Sequence, residues 1–219
     1  TDQIKALRKQ IAKDLGFVMP SVRIQDNMQL DAKEYVIKVK DIECGRGEVD
    51  PNKLLVMESQ GKPIEIPGDD TKEPAFGLPA KWIEEVHKEE ALFKDYTVVD
   101  PPTVVTTHLT EVVKDNITEL LSYSETQKLL DGLPDEHQKL VGDIIPSQIT
   151  LTAMQRVLQG LLNENVSIRD LPTIMEAVSE AASNSTNILS VIEHVRSRLA
   201  KQICNLNMNE NGYIPLVVL

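Results

Sequence analysis

Two matched tripeptides, Val49-Asp50-Pro51 and Val99-Asp100-Pro101, constrain this chain more than any other feature. Each stops an apolar strand-like run with a residue suited to turns and a proline that cannot donate a main-chain hydrogen bond. Between them lie Pro63, Pro67, Pro74 and Pro79, which punctuate the segment into short pieces. The pair therefore marks out residues 52–100 as a small inserted α/β subdomain. The enclosing α+β domain is discontinuous, built from 1–51 and 101–120. From about Leu121 the apolar period becomes helical, giving an all-α subdomain over 121–204. Residues 205–219 read as a linker and the first strand of a last subdomain that is truncated or missing. The expected class is α+β multi-subdomain, an α+β part followed by an all-α part. A length of 219 residues suits two or three such units.

Local patterns fill in this frame. Ile4, Leu7, Ile11 and Leu15 describe an amphipathic helix that Gly16 can end. Tyr35–Lys40 and Ile42–Val49 alternate like a hairpin, with Gly45-Arg46-Gly47 as a bulge or turn. The insert is expected to hold a strand at Leu54–Met57, a loop from Gly61 to Gly77, a short strand at Trp82-Ile83, a helix over Glu84–Lys94 and a strand at Tyr96–Val99. Asp100 and Pro101 then suit the N-cap and first turn of a long helix through Leu120. Beyond it, Ser124 reads as a cap before a short helix. Thr150–Asn163, Asp170–Ala182 and Thr186–Cys204 each place apolar residues on one face. The closing run Tyr213–Leu219 is strand-like.

Composition narrows the function. The net charge of −11 and the absence of clustered Lys/Arg outside helical faces argue against nucleic-acid binding. Cys44 and Cys204 lack zinc-ligand spacing and are read as reduced thiols of a cytosolic setting. No run approaches the ~18 apolar residues of a membrane span, so the chain is expected to be soluble as it stands. His108 and Glu111 lie one helical turn apart, yet a metal needs at least three converging ligands, and the acidic loop Glu65, Asp69, Asp70, Glu73 lacks an EF-hand pattern. No nucleophile motif or phosphate loop occurs. An enzyme, a cofactor and a metal are therefore not expected. Phe76, set between Pro74 and Gly77 in a loop, is either a partner anchor or a plug for the insert's own core.

Three blocks, Glu73-Pro74-Ala75-Phe76-Gly77-Leu78-Pro79-Ala80, Tyr96–Pro101 and Thr106–Glu111, carry a resemblance to the FlhA family, the large export-gate subunit of flagellar and type III secretion systems. Leu15–Val18, Val22–Asn27, Glu34–Lys38 and Val166–Leu171 fit the same family in the same order, so the resemblance spans nearly the whole chain and favours the flagellar branch. It implies the cytoplasmic portion of an inner-membrane protein whose membrane helices precede Thr1. It implies docking of flagellar export chaperones with their cargo at a dimple lined by Glu73, Phe76 and Thr107, where the family often has Asp in place of Glu73. It also implies a nonameric ring and contacts with other export-apparatus proteins. Ring contacts are heterologous, and Arg156, Arg169 and Glu176 are the candidate interface residues. The alternatives are a metal-dependent hydrolase using His108 and Glu111, and a generic helical interaction module over 121–204.

Overall fold

A computed structural model describes residues 2–59, 62–183, 185 and 187–215. The chain divides into two compact units. The first comprises Thr1–Arg8 and Pro20–Asn116, the second Lys9–Met19 and Ile117–Leu219. Among the described residues no helix is long and apolar enough to cross a membrane.

The first unit carries two small antiparallel sheets. Strands β1 (Glu34–Val39) and β2 (Ile42–Glu48) form a hairpin. Its two-residue turn, Lys40-Asp41, has positive φ at both positions, which matches the twist of the flanking strands. The register shifts where Lys38 faces Glu43 and Ile37 faces Gly45, leaving Cys44 as the extra, bulged residue. The second sheet has the order β4-β5-β3-β6, from β3 (Leu54–Met57), β4 (Asp69–Lys72), β5 (Pro79–Ile83) and β6 (Thr97–Val99).

Central β3 is apolar on both faces because both are covered. Leu54 and Val56 pack with Ile66, Ile83 and Ala91, the last brought by α2 (Lys88–Phe93) after a 3-10 turn at Glu85–His87. On the opposite face Leu55, Ala80 and Trp82 pack with Val104 of α3 (Pro101–Asp115). Asp100 caps α3 by accepting the Thr103 N–H at 3.2 Å. Strand β4 falls within the expected Gly61–Gly77 loop. Its sequence Asp-Asp-Thr-Lys has no apolar face, and it forms because its backbone adds to the edge of β5.

The hairpin is pinned to α3 by a partly buried polar pair. Tyr35 Oη and His108 Nδ1 lie 2.8 Å apart with their rings edge to face. Two glycines make room for it: a Cβ on Gly47 would stand 2.6 Å from Tyr35 Oη, and one on Gly45 would stand 2.9 Å from His108 Nε2. His108 is buried, which pushes its pKa below the usual histidine value, and the Glu73 charge only partly offsets this. Burial, reinforced by the Glu73 charge, pushes the Tyr35 phenol well up. Both groups are therefore neutral at pH 7.

The second unit is helical. It contains α4 (Ile117–Leu120), α5 (Tyr123–Asp131), α6 (Asp135–Ile144), α7 (Leu151–Asn163), α8 (Leu171–Ala182), α9 (Ile188–Arg198) and α10 (Ala200–Asn207). The inward stripe of α7 (Met154, Val157, Leu158, Leu161, Leu162) is fully buried with Ile168, Ile174 and Val195. Thr150, Asp170 and Asn187 cap α7, α8 and α9. The cap of α5 is Ser122, whose Oγ accepts the Glu125 N–H at 3.2 Å, rather than the expected Ser124. Ser124 instead bonds to Ser122. The single helix expected over Thr186–Cys204 is two, α9 and α10, meeting at Leu199. Tyr213–Pro215 form no strand, and the rest of that apolar run, 216–219, lies outside the described residues.

The discontinuous assignment of 1–51 with 101–120 differs from the observed units at two places, Lys9–Met19 and Ile117–Leu120. Helix α1 (Asp2–Leu15) ends at Gly16, which has φ +73° and no room for a Cβ: the backbone N of Arg169 would be 2.5 Å away. That close approach lets the Ile168 N–H donate to the Leu15 carbonyl at 2.8 Å and the Arg169 guanidinium donate to the Lys13 carbonyl at 3.0 Å. The last carbonyls of α1 thus find donors in the helical unit. Likewise Gln159 donates to the Thr118 carbonyl and Gln155 to that of Leu121, which ties the short α4 to α7. A main-chain N–H and polar side chains carry these bonds, which apolar periodicity does not announce.

Truncating Leu158→Ala opens a cavity among fully buried neighbours, and chemical denaturation should show a loss of about 2–5 kcal/mol for the helical unit. A second expectation concerns pH. The folded pKa of His108 lies below the unfolded value of ~6.5, so the unfolded chain takes up the proton first as pH falls. Stability is therefore full above about pH 6.5 and declines as pH drops from there through the folded value. His108→Gln should flatten that decline in melts recorded between about pH 7.5 and 5.

Candidate functional site

Glu73, Pro74, Ala75, Phe76, Gly77 and Leu78 form a closed turn between β4 and β5. The Glu73 N–H donates to the Leu78 carbonyl at 2.8 Å, and the Gly77 N–H donates back to the Glu73 carbonyl at 2.8 Å. Gly77 adopts φ +69°, in the left-handed region where a Cβ is unfavourable. Pro74 fixes the rise into the turn. The Glu73 carboxylate completes it: one oxygen accepts the Ala75 N–H at 2.9 Å and the other the Phe76 N–H at 2.7 Å. Glu73 is only 4% exposed, and each of its carboxylate oxygens is engaged inside the turn. Charge-assisted bonds to two successive N–H groups make this a rigid element.

Phe76 sits at its tip and is 61% exposed, with Leu78 half-exposed beside it. The reading in which Phe76 plugs the insert's core is therefore not what forms. That core is filled by Leu54, Val56, Ile66, Ile83 and Ala91. Next to the turn lies an open, shallow cleft of about 370 Å³ lined by Arg46, Gly47 and Glu48 of β2, Thr71 and Lys72 of β4, and Glu73, Pro74 and Gly77. Arg46 is held there by Glu43 at 2.9 Å and Glu34 at 3.3 Å, whereas Lys72 has no ion-pair partner among the described residues.

Thr107 is half-buried on α3, and its hydroxyl has no hydrogen-bond partner among the described residues. Its neighbour His108 and the hairpin's Tyr35 both feel the Glu73 charge. The neighbourhood that holds the Phe76 turn thus includes the hairpin and α3 as well as the insert. Tyr35 is the residue that sequence reasoning passed over. Its signal was present in the hairpin register, where Tyr35 faces Gly47, a glycine opposite an aromatic whose ring occupies the missing side chain's place.

The three residues expected at a subunit interface lie in the helical unit, and they differ in how committed they are. Arg156 is exposed on α7 with no ion-pair partner among the described residues. Arg169 already donates to the Lys13 carbonyl. Glu176 lies 3.5 Å from Arg198, in an exposed cluster with Glu180 and His194.

The pair that suggested metal or acid–base chemistry does not assemble. His108 is engaged by Tyr35, and Glu111 by Lys114 at 2.7 Å. Of the acidic loop, Asp69 and Asp70 pair with Lys53 and Lys81. Among the described residues no three His, Cys, Asp or Glu side chains converge on a point. The arrangement offers recognition by an apolar anchor on a stiff turn.

The model of the FHIPEP family matches residues 1–219. The flagellar biosynthesis protein FlhA of Caulobacter vibrioides is 53% identical over 219 residues, which cover 100% of this chain and 31% of that protein. The chain thus spans about a third of the length of this curated relative. Among solved structures, Chlamydia pneumoniae CdsV superposes with a TM-score of 0.85 at 25% identity, covering 100% of this chain and 68% of that one. A Chlamydia pneumoniae CdsV and CdsO protein complex gives 0.81 at 26%, covering 93% and 63%. Relatives of this kind are named for flagellar biosynthesis rather than for a reaction. Matched by the family model from its first residue to its last, the chain belongs to the FHIPEP family.

Proposed function

We propose that this chain is the cytoplasmic part of the export-gate component of a flagellar type III secretion apparatus, where it docks chaperone–cargo complexes. The observation that carries the reading is the exposed Phe76 on a turn whose amides are held by the buried Glu73 carboxylate. An aromatic kept in solvent by a rigid support is arranged for a partner, because the loop entropy has been lost before binding. Covering Phe76 contributes about 2 kcal/mol. Glu73 acts here through Phe76, by setting where its ring points, and the free Thr107 hydroxyl supplies a directional contact. Docking of a partner protein is in keeping with the CdsV relative, which has been seen in complex with CdsO.

The ring belongs to the same proposal. Copies would meet head to tail through unlike surfaces, with Arg156 the most available of the three interface candidates, since Arg169 and Glu176 are already engaged within the chain. Membrane helices outside this segment would hold the assembly at the inner face of the membrane.

Calorimetric titration with a flagellar export chaperone carrying its filament-type cargo tests the docking reading. Saturable binding is expected, weakened about 30-fold by Phe76→Ala, with the melting temperature unchanged. Glu73→Ala should weaken binding to a similar degree, through the freed turn. Unaltered affinity in the Phe76→Ala protein would refute the anchor, and a sharp fall in its melting temperature would return Phe76 to a structural role.

A further inference from the structure

The chain has three phenylalanines. Phe17 is fully buried, while Phe76 and Phe93 are both exposed within the insert, Phe93 to 92%. Phe93 ends α2, and Val86, seven residues earlier in the 3-10 turn that leads into it, is 82% exposed. Leu92 adds a third exposed apolar side chain at the same end. The 3-10 turn runs directly into α2, so Val86 and Phe93 bracket one short helical segment, Glu85–Phe93. The opposite face carries Ala91, fully buried against β3 and β5, so the element is fixed to the sheet by a small residue and presents its large apolar ones outward. An isolated exposed side chain needs no explanation, but three on a segment this short form a patch.

Charge defines what fits there. Glu89 and Glu90 lie between Val86 and Phe93, and Glu84 and Glu85 stand at the start of the turn. Glu85 is matched by Lys88 at 3.4 Å, Glu84 by Lys53 at 3.5 Å and Glu90 by Lys94 at 3.0 Å, whereas Glu89 has no partner among the described residues. A second copy laid on this face by two-fold symmetry would set Glu89 against like charge, on a chain whose net charge is already −11. The complementary occupant carries apolar residues with Lys or Arg beside them.

We infer that the exposed surface formed by Val86 of the 3-10 turn with Glu89 and Phe93 of α2 is a second docking surface, distinct from the Phe76 turn, and that its occupant is a cationic amphipathic helix of another protein. The apolar ridge supplies affinity, and Glu89 supplies selection of charge and direction.

The full chain is titrated with a synthetic amphipathic helix of about 18 Leu and Lys residues, long enough to fold, and with the same peptide bearing Glu for Lys. The Lys peptide should bind saturably, and the Glu peptide at least about tenfold more weakly. Val86→Ser with Phe93→Ser should lower affinity for the Lys peptide by at least about tenfold. Glu89→Lys, which removes no apolar contact, should weaken the Lys peptide and strengthen the Glu peptide. Phe76→Ala should change neither, which separates this surface from the proposed chaperone site. Lys-peptide binding indifferent to both Val86/Phe93 and Glu89 would overturn the inference, as would the absence of saturable binding. Sedimentation showing a dimer abolished by Val86→Ser with Phe93→Ser would assign the face to a second copy instead.

Discussion

A buried carboxylate accepting two successive main-chain N–H groups is the interaction on which this surface depends. Without Glu73, the Ala75 and Phe76 amides would lose their acceptors, and the turn would keep only the two backbone bonds at its neck. The burial of the carboxylate is tolerable because both oxygens are satisfied by donors. The two N–H groups lie in a turn that cannot form sheet bonds, so the same contact also meets their need for partners. One residue therefore closes the turn, fixes its tip, and leaves the Phe76 ring as the most exposed apolar group of the turn, with Leu78 beside it.

The surroundings serve the same end. Tyr35 and His108 form a neutral hydrogen-bonded pair between hairpin and α3, and two glycines of β2 give way to it. A charged pair would have to be desolvated there, and burial instead keeps both groups uncharged. The Glu73 charge acts on both groups, which ties the electrostatics of the turn to the interior of the unit. The turn is thus braced by backbone and side-chain hydrogen bonds made within the chain itself.

How much of this was legible depended on whether apolar side chains or polar bonds did the work. Strand β3, the hairpin and the helices α3, α7 and α8 are written in apolar periodicity and in caps such as Asp100, Thr150 and Asp170. Strand β4 was not legible, since Asp69-Asp70-Thr71-Lys72 has no buried face and becomes a strand only by pairing with β5. Helix α6 and the Ser122 cap were obscured by a run of closely spaced polar residues offering several capping choices. The places where Lys9–Met19 and α4 attach rest on donors to carbonyls from Ile168, Arg169 and Gln159, which leave no period in the sequence. At the site, the family resemblance put Glu73, Phe76 and Thr107 around one dimple but said nothing of how the Glu73 carboxylate is held. Only the coordinates show its oxygens turned inward, because a carboxylate's partners are not encoded in its spacing.

The brace itself is open to direct measurement by residue-resolved amide hydrogen exchange. The account predicts that the Ala75 and Phe76 amides are protected together, at least about tenfold below the unstructured rate, and that Glu73→Ala releases both while the Ala80 amide in β5 stays protected. Exchange of Ala75 and Phe76 at the unstructured rate in the unaltered protein would contradict it, since Phe76 would then sit on a loose loop with no built support.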